Sequence, residues 1–229
     1  GRELCGETWL FLCERGGSRA RGRILIMAIV VIDYGMGNIA SVANMINKVG
    51  GNAQVSGDIG TICAASKIVI PGVGAFDHGV LQLQSLGLFS VIQEIAERKV
   101  PVLGICLGMQ LLSKCSEEGS LKGLGLIDAE FKRFSFEDTQ PLHVPHVGWN
   151  FVHVAKKNSL FFDDGGEQRF YFTHSYHAVC NDENDILATT EYGYRFPSAY
   201  SRGNIFGVQF HPEKSHRFGM AIIKNFLEL

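Results

Sequence analysis

The chain has 229 residues, 21 basic against 23 acidic side chains, a formal net charge of −2 and a hydrophobic content of 46%. That length suits one sizeable α/β core, and the near-neutral balance gives no reason to expect nucleic acid as a partner. No apolar run approaches the roughly 18 residues of a membrane span, so no membrane association is expected.

Residues 1–26 differ in character from the rest of the chain. Their arginines at 15, 19, 21 and 23 come after the apolar stretch "TWLFLC", the reverse of a secretory signal. They are expected to form a mobile N-terminal extension, a leader or an appended segment, with the folded domain at 27–229 and Met27 as its start. From Met27, "MAIVVIDY" reads as a buried parallel strand, "GMGN" as a turn, and "IASVANMINKVG" as a helix ended by Gly50-Gly51. "AQVSG" and "SKIVIPGVGAF" come next as strands, "LGLFSVIQEIAERKV" as an amphipathic helix, "PVLGI" as a strand and "CLGMQLLSKC" as a helix. This alternation predicts a mostly parallel central sheet with helices on both faces, a flavodoxin-like three-layer α/β sandwich. After about residue 124 the pattern changes to short strands, "LGLIDAEFKRF", "HVPHVGWNFVHVA", "RFYFTHSYHAVC", "DILATTEYG", "FPSAYSRG" and "NIFGVQFH". These are expected to add antiparallel strands before a closing helix over 213–229, with Phe218, Ala221, Ile222 and Leu227 on its apolar face.

The six cysteines, at 5, 13, 63, 106, 115 and 180, form no CxxC pair, so neither a disulfide framework nor a structural zinc site is expected. Cys106 stands apart, between Gly104 and Gly108 where a strand meets a helix. G-x-C-x-G is the thiol counterpart of the nucleophile elbow, in which a sharp turn lifts the reactive atom to the tip of a strand–helix junction. The helix N-terminal amides there favour a thiolate. The bland alternative is a small buried hydrophobe beside a strand.

A nucleophile needs a base, and of eight histidines His211 is distinctive. It comes after the strand "FGVQF" and precedes Pro212 and Glu213, whose carboxylate could turn back beneath the imidazole. The rival is a helix cap in which Glu213 meets the helix dipole. Together with the cysteine elbow, the catalytic reading wins, because both residues sit at the strand ends where such sheets gather their chemistry. Oxyanion charge would fall to an amide of the Val73–Gly74 loop and that of Leu107. No metal is expected, since no ligand set stands at recognisable spacing. The loop lacks the lysine of a phosphate-binding loop, and "DYGMGN" lacks the third glycine of a dinucleotide fingerprint.

"GICLGMQLL" and "QFHPEKS" resemble the class I (Cys-His-Glu) glutamine amidotransferases. "DYGMGN", "IPGVGAF", "PHVGWN", "THSYH" and "FPSA" narrow the resemblance to the glutaminase subunits of imidazole glycerol phosphate synthase, from about Met27 to Leu229. The resemblance implies Cys106 as nucleophile, His211 as general base and acid, and Glu213 as the carboxylate that orients the ring. It also implies Gln110, Ser175 and Tyr176 as contacts to L-glutamine, no cofactor, and a cytoplasmic place in histidine biosynthesis. A (β/α)₈-barrel cyclase subunit would receive the ammonia, with Asn38, Trp149 and Asn150 near that interface. Because the sequence ends at Leu229, the barrel is expected on a separate polypeptide. The competing readings are the glutaminase component of anthranilate or aminodeoxychorismate synthase, a cysteine hydrolase or peptidase on a similar sheet, and a non-catalytic binding subunit.

Overall fold

The structure, a computed structural model, describes residues 28–137, 142–161 and 167–229. The extension expected at 1–26, and Met27, lie outside the described residues. In chain order the elements are β1 (Ile29–Ile32), α1 (Ile39–Lys48), β2 (Ala53–Ser56), α2 (Ile59–Cys63), β3 (Lys67–Gly72), α3 (Phe76–Ser85) and α4 (Leu88–Glu97). Next come β4 (Val102–Cys106), α5 (Leu107–Leu112), β5 (Cys115–Ser116), β6 (Ala129–Arg133), β7 (His146–Val154), β8 (Gln168–His174) and β9 (Tyr176–Cys180). The chain closes with β10 (Ile186–Tyr192), β11 (Tyr194–Arg202), β12 (Ile205–Val208), a 3-10 turn at Pro212–Lys214 and α6 (His216–Leu227).

Nine strands form one sheet in the order β2-β1-β3-β4-β12-β11-β10-β7-β8. The first five are mutually parallel, and β11, β10, β7 and β8 extend the sheet with antiparallel pairings. A second sheet, β5-β6-β9, stands beside it. The expected α/β sandwich with an antiparallel extension is what these strands build.

The side-chain alternation of the central strands divides the core in two. Val30, Ile32, Ile68, Ile70 and Val102 point to the layer that holds Phe76 and Val80 of α3, Ile92 of α4 and Leu111 of α5. Ile29, Val31, Val69, Leu103 and Ile105 point to the opposite layer, against Val42 and Ile46 of α1 and Ile222 and Phe226 of α6. Each fully buried aliphatic side chain contributes about 1.5–3 kcal/mol, so a strand buried on both faces is anchored from both sides. This fixes the height of the β4 and β12 ends, which is what the site requires.

Several local expectations change. Helices α2 and α3 have no counterpart among the elements expected from the sequence. The helix expected over "CLGMQLLSKC" ends at Leu112, because Cys115 and Ser116 pair with β6 as β5. "RFYFTHSYHAVC" is two strands that part at Ser175, β8 joining the large sheet and β9 the small one. On α6 the buried face runs through Gly219, Ile222, Ile223 and Phe226, while Ala221 is exposed and Phe218 and Leu227 are half-buried. That face keeps the i, i+3, i+4, i+7 spacing, on which Ala221 falls outside.

Candidate active site

Cys106 ends β4 and caps α5, with φ 54° and ψ −108°. A non-glycine residue there carries strain of about 1–3 kcal/mol, held only because its surroundings leave no alternative. The two flanking glycines show what those surroundings are. A Cβ on Gly108 would lie 1.8 Å from the Ile70 carbonyl oxygen, and one on Gly104 would lie 2.6 Å from the Gly108 carbonyl. The start of α5 is thus pressed against β3 and β4 backbone on both sides. The Tyr200 hydroxyl donates to the Met109 carbonyl and fixes the helix from beneath. Gly108→Ala is accordingly expected to lower stability by about 3 kcal/mol, read as a drop in thermal midpoint. An unchanged midpoint would mean that α5 does not lie where the structure puts it.

Cys106 is 6% exposed and its sulfur makes two hydrogen bonds. The thiol donates to the Thr173 carbonyl at 3.9 Å, and the Gln209 amide nitrogen donates to the sulfur at 3.8 Å. His211 lies just past β12, the strand parallel to and paired with β4. Its Nδ1 is 2.8 Å from Glu213 Oε1, so Glu213 turns back on the ring through the 3-10 turn that begins at Pro212. Nε2 of the same ring is buried and makes no hydrogen bond of its own. Burial disfavours charge on this imidazole, but interaction with the Cys106 sulfur and the Glu213 carboxylate outweighs it and raises the pKa to about 10. At neutral pH the raised pKa favours an imidazolium beside the Cys106 sulfur.

A cavity of about 350 Å³ opens over Cys106 and is lined by Val73, Gly74, Leu107, Gln110, Glu118, Pro145, Thr173, His174, Ser175 and Tyr176. The expected nucleophile, the oxyanion candidates and the three expected glutamine contacts therefore border one space. Val73 is 44% exposed, and Gly74 adopts φ +120°, a backbone state open to glycine. The Tyr34 hydroxyl, its pKa raised by burial and by its proximity to Cys106, donates to the Pro71 carbonyl at 2.8 Å and ties the base of this loop to the turn after β1.

Sequence reasoning missed Glu118, Thr173 and Gln209. Glu118 borders the cavity while one oxygen accepts from the Phe76 amide at 2.9 Å. Gln209 stands two residues before His211, so alternation along the strand would have placed it on the same side.

The interface candidates lie apart from the cavity. Asn38 is exposed at the start of α1, which packs against the Pro212–Lys214 turn. Trp149 is 45% exposed and stacks on His216 with ring centroids 5.5 Å apart. It also borders a larger groove of about 490 Å³ with Arg169, Arg217 and Phe218. The Asn150 side chain is turned inward instead, donating to Glu191 O at 2.9 Å and to His146 Nε2 at 3.2 Å. Among the described residues no cluster of side chains could hold a metal ion, and no helix is long and apolar enough to cross a membrane.

With that geometry in place, the class is clear: residues 30–229 match the family model of class-I glutamine amidotransferases, and the chain belongs to that family. Within it, the chain is 49% identical over 201 residues to imidazole glycerol phosphate synthase subunit HisH 2 of Methanococcus maripaludis, covering 87% of this chain and 98% of that protein. It is 48% identical to the subunit HisH 2 of Pseudomonas aeruginosa, covering 88% and 99%. Among solved structures, PurLQS from Thermotoga maritima has the same fold, with a TM-score of 0.67 at 18% identity over 88% of this chain and 97% of that one. A crystal structure of a glutamine amidotransferase matches with the same TM-score and identity, over 87% and 97%.

Proposed function

We propose that this chain is the glutaminase subunit of an imidazole glycerol phosphate synthase, hydrolysing L-glutamine and delivering ammonia to a cyclase subunit in histidine biosynthesis in the cytoplasm. The observation that carries the chemistry is the His211–Glu213 pair, set at the end of the strand that adjoins the Cys106 elbow. The identity to HisH subunits over nearly their whole length supports the choice of synthase.

Glutamine enters with its carboxamide over Cys106. Glu118 supplies negative charge for its ammonium group, and Gln110, Ser175 and Tyr176 hold the rest of the amino-acid end. The Cys106 thiolate attacks the carboxamide carbon, and the carbonyl electron pair moves onto oxygen. Backbone amides of Leu107 and the Val73–Gly74 loop stabilise that oxyanion. His211 Nε2 gives its proton to the departing nitrogen, the C–N bond breaks, and ammonia leaves a γ-glutamyl thioester. The now neutral ring takes a proton from water as the oxygen attacks the thioester. Collapse expels the Cys106 thiolate and releases glutamate, with His211 protonated again. Glu213 holds the ring through Nδ1 throughout and favours its cationic state.

Free ammonia would be protonated and lost in neutral water, so its release belongs in a closed interface. The exposed apolar row Val147, Trp149 and Phe151 on β7 offers such a face to a (β/α)₈-barrel partner. The Val73–Gly74 loop, able to change backbone orientation at Gly74, would complete the oxyanion hole on docking. The isolated chain is then expected to release glutamate slowly, and the rate to rise when the barrel subunit and its nucleotide ligand are added. Full activity alone would remove the loop argument.

The function itself is tested by reconstitution with a cyclase subunit. Glutamine should replace added ammonia in forming imidazole glycerol phosphate, and the gene should restore growth without histidine to a strain lacking this subunit. Restoration of growth without aromatic amino acids or folate instead would favour the anthranilate or aminodeoxychorismate alternatives.

A further inference from the structure

Two histidines that the reaction above leaves unused are buried beside it. His146 on β7 and His174 on β8 are register partners and only 3% and 5% exposed. Their rings are joined, His146 Nδ1 to His174 Nε2, at 2.9 Å. At the inner end His174 Nδ1 is 2.7 Å from the Tyr176 carbonyl oxygen. At the outer end the Asn150 amide nitrogen is 3.2 Å from His146 Nε2.

The direction of these bonds is forced from both ends. A carbonyl oxygen can only accept, so His174 Nδ1 must carry the proton. A neutral His174 then accepts at Nε2, which puts the His146 proton on Nδ1 and leaves its Nε2 to accept. The Asn150 amide, which also donates to the Glu191 carbonyl, presents the hydrogen that this last acceptor needs. A proton added to His174 would set two N–H groups against each other.

The surroundings keep both rings neutral. His146 is stacked between Phe172 and Tyr192, with centroids at 4.8 and 4.1 Å, and Phe134 packs on both histidines. Neither ring is hydrogen-bonded to a carboxylate. Burial lowers the pKa of His146 to about 4 and that of His174 to about 3.

What the inner end holds is the point where the chain leaves one sheet for the other. Thr173 accepts from the Cys106 thiol, Ser175 and Tyr176 border the cavity, and the Ser175 carbonyl accepts from the Phe134 amide at 3.0 Å. The His174 bond to Tyr176 O sets the orientation of the next peptide plane. We infer that Asn150, His146 and His174 form a neutral, one-directional hydrogen-bond relay that positions the Ser175–Tyr176 segment to receive the amino-acid end of the substrate. His146 and His174 are thus positioning residues for substrate recognition rather than members of the proton-transfer machinery. This inference rests on the glutaminase reading of the cavity.

The test uses the complex with its cyclase subunit and nucleotide ligand, comparing His174→Phe, which keeps the ring shape and removes both nitrogens, with His174→Asn. The asparagine amide can stand where Nδ1 stood and donate to Tyr176 O. His174→Phe should raise the KM for glutamine about tenfold while kcat stays within about threefold, and His174→Asn should return KM to within about twofold of the parent. Iodoacetamide alkylation of Cys106 should proceed at parental rates in both. If His174→Phe does not fold, the pair His146→Phe and His146→Asn decides in the same way, the phenylalanine raising KM and the asparagine, whose amide can stand where Nδ1 stood and donate to His174 Nε2, restoring it. Parental KM in the folded phenylalanine variants, or equal losses in both members of a pair, would overturn the relay. A parent complex that does not hydrolyse glutamine would overturn the glutaminase reading instead.

Discussion

Cys106→Ala is expected to lower glutamine-dependent turnover on the order of 10⁴-fold or more, while ammonia added directly still drives the partner's reaction. The loss is large because two functions go together. In the mechanism proposed above the sulfur forms the thioester, and its interaction with His211 is one of the causes that raise the ring's pKa. Without it the imidazole loses a reason to stay protonated, so the proposed acid is weakened along with the proposed nucleophile. Residues acting as a unit lose nearly everything when one member goes. Structure should survive, because alanine removes one buried atom and Gly104 and Gly108 still permit the same close approach of α5. The measurements are glutamate release, ammonia-driven turnover and partner binding by the same preparation. Glutamate release at the parental rate would end the nucleophile assignment.

The parts of the site that could be read from the sequence are those whose chemistry is local. G-x-C-x-G and H-P-E each carry their geometry within a few residues, since glycine contacts and a two-residue return of a carboxylate need little else. The unbroken runs of β1, β3 and β4 are legible for the same reason, being buried on both faces. By contrast, α3 begins Phe76-Asp77-His78-Gly79 and carries few apolar residues. It is secured from afar, by Glu118 on the Phe76 amide and by Asp77 accepting from the Ser120 and Leu121 amides. Glu118 escaped notice in the site because nothing near it in sequence speaks of Cys106. The break at Ser175 was hidden too. "RFYFTHSYHAVC" alternates without a stop, and only the pairing of β8 with β7 and of β9 with β6 divides it. His146 and His174 look alike in sequence to any core histidines, and their joint role exists only in that pairing.

Glu213→Gln is the sharper test of the electrostatics, because it removes charge while keeping shape. The glutamine oxygen can still accept from His211 Nδ1, so the ring keeps its orientation and tautomer. What disappears is a carboxylate whose side chain is 3% exposed, held 2.8 Å from a ring that is 2% exposed. At such burial the carboxylate is poorly screened, and its removal lowers the pKa of His211. Turnover is expected to fall, but by less than the roughly 10⁴-fold that follows when such an exchange also reverses the ring tautomer. The pH dependence carries a sign. A histidine whose folded-state pKa is raised contributes stability that is complete below the unfolded value near 6.5 and is lost as pH climbs through about 10. The parent chain should therefore lose part of its thermal midpoint between pH 7 and 10, and Glu213→Gln should show a flatter decline over that window. The alkaline limb of kcat/KM should move to lower pH in step. An alkaline limb and a stability profile that both stay where the parent's lie would mean that Glu213 only props the ring, and that the cationic state of His211 has another source.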